Sequence, residues 1–156
     1  MKTFTKWFLL NAVMLTAVFF AETKGAISMM VASDISYLTI VIMASYVIVS
    51  GYVGKLCYLS DKIKRGRVRA ARKHLSKRAE LGWFAAEHFF SLGLLGTVFG
   101  LCVATATNLN SEAQVSDIVS GLKTGLNTAF YTTICGIVFS LPLQVQLMIL
   151  RFKLEE

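Results

Sequence analysis

The chain is 156 residues long and 55% hydrophobic, with one proline and a mean hydropathy of +0.61. A soluble domain of that size cannot bury so much apolar surface, so the composition excludes a small globular protein and points to a polytopic membrane protein. Sixteen Lys and Arg against nine Asp and Glu leave a net charge of +7, and the position of those charges decides what they mean.

Four charge-poor runs occupy 7–21, 35–54, 89–107 and 126–150, which are 15, 20, 19 and 25 residues long. A membrane-spanning helix needs about 20 apolar residues at about 1.5 Å each, so the last three suffice as they stand. The first needs Phe4 and Thr5 as well, with Lys6 snorkelling to the interface. Lys2 and Lys6 ahead of an apolar run also have the shape of a signal peptide. A cut after Ala21 would place bulky Phe19 three residues before it, where a small residue is required, so the run is read as a retained first helix. Residues 1–54 thus form two N-terminal spans with a short connection at the outer side.

Residues 55–88 form a basic loop and helix. Between 55 and 80 there are ten Lys or Arg against Asp61 and Glu80, which makes this segment cytoplasmic by the positive-inside rule. The same assignment puts both termini in the cytoplasm and leaves Glu22, Lys24, Asp34, Glu112, Asp117 and Lys123 outside. Lys64, Arg65, Arg67, Arg69, Arg72 and Lys73 are read as anchors for anionic phospholipid, worth about 1 kcal/mol each near such a surface, or as a docking face for a cytoplasmic protein. No aromatic residue interleaves with the cations from 62 to 78 to stack bases, so nucleic acid is not the partner. The composition from 67 to 90 is helical, and the basic segment is expected to continue as a helix into the third span.

Residues 89–156 form the third and fourth spans and a short tail. Gly93, Gly96 and Gly100 give the third span one smooth face, on which another helix can press closely, as packing in lipid requires. Ala129, Thr133, Gly136 and Ser140 recur at intervals of four, three and four, a second small-residue stripe. Phe130, Ile134, Ile137, Phe139, Leu141 and Leu143 are assigned to lipid or neighbouring subunits, Pro142 to a kink, and Gln144 and Gln146 to the cytoplasmic exit. Val115, Ile118, Val119, Leu122 and Leu126 keep helical spacing behind a possible capping box at Ser111 and Gln114, so the last helix is expected to start near 112 and run about 40 residues.

Catalytic groupings are not found. Cys57, Cys102 and Cys135 are an odd number without a CxxC pair, and His74 and His88 stand apart from any carboxylate cluster, so neither a metal site nor an enzyme is suggested. No cofactor is implied.

The order "LGLLGTVFG" (92–100) and then "GLNTAFYTTICGIVFSLP" (125–142) resembles the MotA/TolQ/ExbB proton channel family. Gly96, Thr97, Val98 and Gly100 match its penultimate-helix motif, and Gly125, Ala129, Thr133, Gly136 and Pro142 match its last-helix motif in register. The resemblance implies an all-α bundle of four membrane helices, assembled as a homopentamer in a bacterial inner membrane. Inside it would sit a single-span ExbD/TolR/MotB-like partner bearing an aspartate. Thr97 and Thr133 would line the ion pathway, with Gly93, Gly96, Gly100, Ala129 and Gly136 as packing positions. The implied function is a stator-type subunit that converts ion motive force into mechanical work. Two departures stand out: Thr128 occupies a position where many members carry glutamate, and the cytoplasmic segment is far smaller than in flagellar members. The alternatives are a non-conducting pentameric scaffold of the same fold and a small transporter, the latter disfavoured because the spans hold neither a charged substrate site nor a broken helix pair.

Overall fold

The computed structural model describes residues 2–62, 68–106 and 115–155, without the side chains of 68–71. Five helices follow one another: α1 (Thr3–Thr23), α2 (Ala26–Ser33), α3 (Leu38–Lys62), α4 (Val68–Ala106) and α5 (Val115–Glu155). Four of them, α1, α3, α4 and α5, are long and apolar enough to cross a membrane, and the molecule is an all-α polytopic bundle. The charged ends of α1, α3, α4 and α5 gather at one end, here the basic end; α2 lies at the far end.

α4 and α5 form the central antiparallel hairpin, and α3 lies along one seam of it. Phe139 meets the Tyr46 ring at 4.9 Å between centroids, and the Cys135 thiol lies 3.8 Å from the Thr39 carbonyl. Phe139 and Leu143, expected to face lipid or neighbouring subunits, are therefore corrected to core residues of the chain itself, 8% and 0% exposed. The apolar face of α5 is wider than its small-residue stripe, because a third helix as well as α4 needs a surface to pack on.

α1 meets this core through polar contacts in its basic-end half and through Met14 and Val18 farther along. Asp61, at the end of α3, accepts from the Thr3 and Phe4 backbone N–H groups at 3.1 and 2.9 Å, satisfying two orphan donors of the first turn of α1. Trp7 lies over Gly54 and donates Nε1–H to the Ser50 carbonyl at 3.1 Å. Gln146, expected at the cytoplasmic exit, is instead fully buried. Its amide reaches Tyr46 Oη at 3.3 Å and Asn11 Oδ1 at 3.4 Å, while its Oε1 accepts from Ser50 Oγ at 3.1 Å. These groups join α1, α3 and α5, because a buried amide in an apolar bundle must find partners. Toward the far end α1 stands off from α3 and α5 and leaves an apolar cavity of about 240 Å³.

α1 ends at Gly25, whose φ of 69° lets the chain turn into α2. The α2–α3 turn is built on Asp34, which is buried. Its carboxylate accepts from Ser36 N (2.9 Å), Ser36 Oγ (2.6 Å) and Thr39 N (2.8 Å), and Tyr37 takes a left-handed φ of 57° between them. α4 runs from the basic segment unbroken into the third span, as the composition predicts. α5 runs for 41 residues with Pro142 inside it; the expected capping box at Ser111 and Gln114 lies outside the described residues.

Candidate ion-pathway site

Glycine sets how near α4 and α5 come. A Cβ added to Gly136 would lie 2.7 Å from the Phe89 carbonyl oxygen and 3.0 Å from Gly93 Cα, and one on Gly93 would lie 3.1 Å from the Thr132 carbonyl oxygen. One on Gly100 would lie 2.7 Å from the Ala129 nitrogen, and one on Gly96 2.5 Å from Thr132 Cβ. The two stripes thus face each other within a single chain. Gly125 closes the same contact against Ala104 and Gly82 against Leu147, two positions that the stripe pattern did not single out.

That closeness brings Thr97 and Thr133 together. Their hydroxyls hydrogen-bond to each other across the hairpin, and both side chains are half-buried at its edge. Each hydroxyl also reaches the same two carbonyls: Thr97 Oγ1 lies 3.2 Å from Gly93 O and 3.4 Å from Ala129 O, and Thr133 Oγ1 lies 3.3 and 3.0 Å from them. Two protons therefore serve more acceptors than they can satisfy at once. Either hydroxyl can exchange one acceptor for another at little cost, and each keeps lone pairs for an outside donor.

Thr128 does different work. Its Oγ1 donates to the Ser33 carbonyl at 3.0 Å and accepts from Ile35 N at 3.4 Å, tying α5 to the turn that contains Asp34. Burial opposes ionisation of Asp34, but the hydrogen bonds from Ser36 and Thr39 outweigh it and hold the carboxyl below its ordinary range. Ser140 donates to the Ala86 carbonyl at 2.8 Å and accepts from the Gln144 amide at 3.1 Å. The Asp34 turn, the Asp61 cap and the Gln146 network were not found from the sequence. The available signal was Gln146 recurring on the helical stripe of Phe139, Leu143, Leu147 and Leu150, all of which are buried.

Of the basic residues, Lys64, Arg65 and Arg67 lie outside the described residues, and Arg69 lies on α4. Arg72 and Lys73 line a polar notch of about 440 Å³ between α4 and α5, together with Ser76, Glu80, Trp83 and Arg151. Arg151 is paired there with Glu155 at 2.7 Å. Among the described residues no group of three or more His, Cys, Asp or Glu could hold a metal ion.

Comparison with known proteins agrees with this geometry. The family model for the MotA/TolQ/ExbB proton channels matches residues 59–156, which includes the whole α4–α5 hairpin. No curated protein and no solved structure matches the chain. With more than half of its length matched, and with the paired small-residue helices lying inside that stretch, this chain belongs to the MotA/TolQ/ExbB proton channel family.

Proposed function

We propose that the chain is the channel subunit of an ion-driven machine in a bacterial inner membrane. It would work as a homopentamer around a single-span partner whose membrane aspartate carries the ion, with its basic end and both termini in the cytoplasm. The observation that carries this reading is the Thr97–Thr133 pair, two half-buried hydroxyls held by helices too close to admit a side chain between them. A hydroxyl can donate to an ionised carboxylate and accept from a protonated one without the cost of placing a second charge in the membrane. As the partner's aspartate alternates between the two states, the hydroxyls re-bond between it and the Gly93 and Ala129 carbonyls. Work on the partner follows because the smooth hairpin lets the charged and neutral forms rest at different places. The basic end, with Arg72 and Lys73, faces anionic phospholipid.

The test is proton flux in vesicles that contain the chain and its partner. Valine keeps the size of threonine and removes the hydroxyl, so Thr133→Val and Thr97→Val should keep the oligomer and its partner while flux falls several-fold or more. A lost hydrogen bond to a charged group is worth about 1.5–3 kcal/mol, enough for at least a tenfold change in rate. Thr105→Val removes a hydroxyl that, among the described residues, bonds only to its own helix, and should change little. Wild-type flux in both variants would make the pair a packing device. No flux in the wild type with its partner present would favour the non-conducting scaffold.

A further inference from the structure

Glu87 lies where a charge is hard to keep. Ser140 Oγ bonds the Ala86 carbonyl, so Glu87 shares the depth of Ser140, and Ser140 is eleven residues, about 16 Å, from the first charge toward the basic end, Arg151. On its own helix Glu87 is seven residues, about 10 Å, beyond Glu80. Glu87 is thus level with the interior of the charge-free run 126–150 of α5, although it stands just ahead of the run 89–107 on its own helix. Its side chain is exposed on the bundle and makes no ion pair or hydrogen bond among the described residues. A carboxylate at that depth faces water or protein rather than lipid tails.

Its surroundings are mainly apolar, with a few polar side chains among them: Ser91 Oγ donates to the Glu87 carbonyl at 3.3 Å, and Ser140, itself buried, bonds Ala86 and Gln144. Glu87, Ser91, Ser140 and Gln144 line a notch of about 410 Å³ with Phe90, Ile137 and Leu141. The notch continues the seam of the threonine pair: on α5, Thr133, Ile137, Ser140 and Gln144 follow at four, three and four, and on α4, Phe90 lies seven residues before Thr97. The opposite seam is closed by α3. No titratable group on α5 faces Glu87. On α4, Glu80 lies two turns away, and His88 is turned aside, its Nδ1 2.7 Å from the Phe84 carbonyl and its ring against Phe84.

We propose that Glu87, with Ser91, Ser140 and Gln144, is a second ion-binding station in the α4–α5 seam. Its carboxylate takes up a proton, or Na⁺ in its place, between the Thr97–Thr133 pair and the basic end. The three neutral side chains hold the water through which the ion arrives and leaves. This station rests on the channel reading and gives the chain a titratable group of its own on the path.

The experiment uses the full chain with its partner in vesicles. Dicyclohexylcarbodiimide, which is apolar and attacks protonated carboxyls, should label Glu87 several-fold faster than Glu80 or Glu155, and faster as pH falls, as read by peptide mass spectrometry. Added NaCl should slow the labelling if the ion is Na⁺ and leave it unchanged if the ion is a proton. Glu87→Gln should lower flux at least about tenfold with the oligomer and partner retained, Glu87→Asp should recover part of it, and Glu22→Gln at the far end should match wild type. An unlabelled Glu87 together with wild-type flux in Glu87→Gln overturns the station and leaves the channel reading intact. Loss of the oligomer or partner in Glu87→Gln would instead make Glu87 an interface ion-pair residue, which also overturns it. A wild type without flux removes both readings together.

Discussion

Single residues in this bundle divide by whether their polar atoms are satisfied within the chain. Thr128, at the position where the family resemblance leads one to expect glutamate, spends its hydroxyl on the backbone of residues 33 and 35, and Asp34 in that turn has its carboxylate filled by Ser36 and Thr39. Both groups hold the α2–α3 turn on α5. Because the Asp34 carboxyl is held below its ordinary range, it stabilises the fold fully above the unfolded value of about 3.9, and the contribution fades as pH falls below that toward the folded value. Asp34→Asn should cost about 1.5–3 kcal/mol at neutral pH, and it should flatten the loss of stability below about pH 4 that the wild type shows. Denaturation of the purified protein in detergent from pH 3 to pH 7 reads both effects; equal acid sensitivity in the two proteins would show that Asp34 is not the group responsible.

Among the elements, α4 and α5 owe their contact to glycine, since lipid offers little hydrophobic drive for helix association and close backbone approach must supply it. The stripes left open whether they built a hairpin or a wall facing a central helix, and the tertiary structure turns them toward each other. Gly136→Leu would push a side chain against the Phe89 carbonyl and Gly93 Cα, both backbone atoms that cannot swing aside. The variant should lose on the order of 3 kcal/mol of bundle stability, measured by thermal unfolding in detergent. Gly51→Leu, where nothing lies within 4 Å, should be close to neutral. Normal unfolding of the Gly136→Leu monomer with loss of only the oligomer would mean that the stripe serves a neighbouring chain. α1 contrasts with this pair: it is held by hydrogen bonds at Asp61, Trp7 and Asn11 near the basic end, and its far half meets the core through Met14 and Val18 beside an apolar cavity.

For the whole molecule, Lys and Arg cluster at one end, which by the positive-inside rule is expected to face the cytoplasm. A cysteine at Asn108, beyond the described end of α4, should react with a membrane-impermeant thiol reagent added from outside intact cells, and Arg69→Cys should not. Cys102 is exposed and should be replaced by serine in the background; Cys57 and Cys135 are buried. The reverse labelling pattern would invert the proposed orientation.

What the sequence determined by itself is the class of molecule. Charge-free runs of sufficient length dictate spans, and the motifs around Thr97 and Thr133 dictate a family, because both are local properties of composition and spacing. It also placed the long α4 and α5 closely, since helical periodicity carries through the interface into the spans. Only the tertiary structure decided which face of each helix is inside. Phe139 and Leu143 read as lipid-facing because an apolar side chain suits lipid and a protein core equally, so periodicity in a membrane helix does not reveal where its neighbours lie. Gln146 reads as an exit group because a polar residue near the end of a span suits water as well as a buried network, and its partners Ser50, Tyr46 and Asn11 lie 96, 100 and 135 residues away in the chain. The same holds for Asp61 beneath α1 and for Glu87 in the α4–α5 seam: a charge next to an apolar run reads as an edge until the packing of the helices shows which residues it stands level with and what it faces.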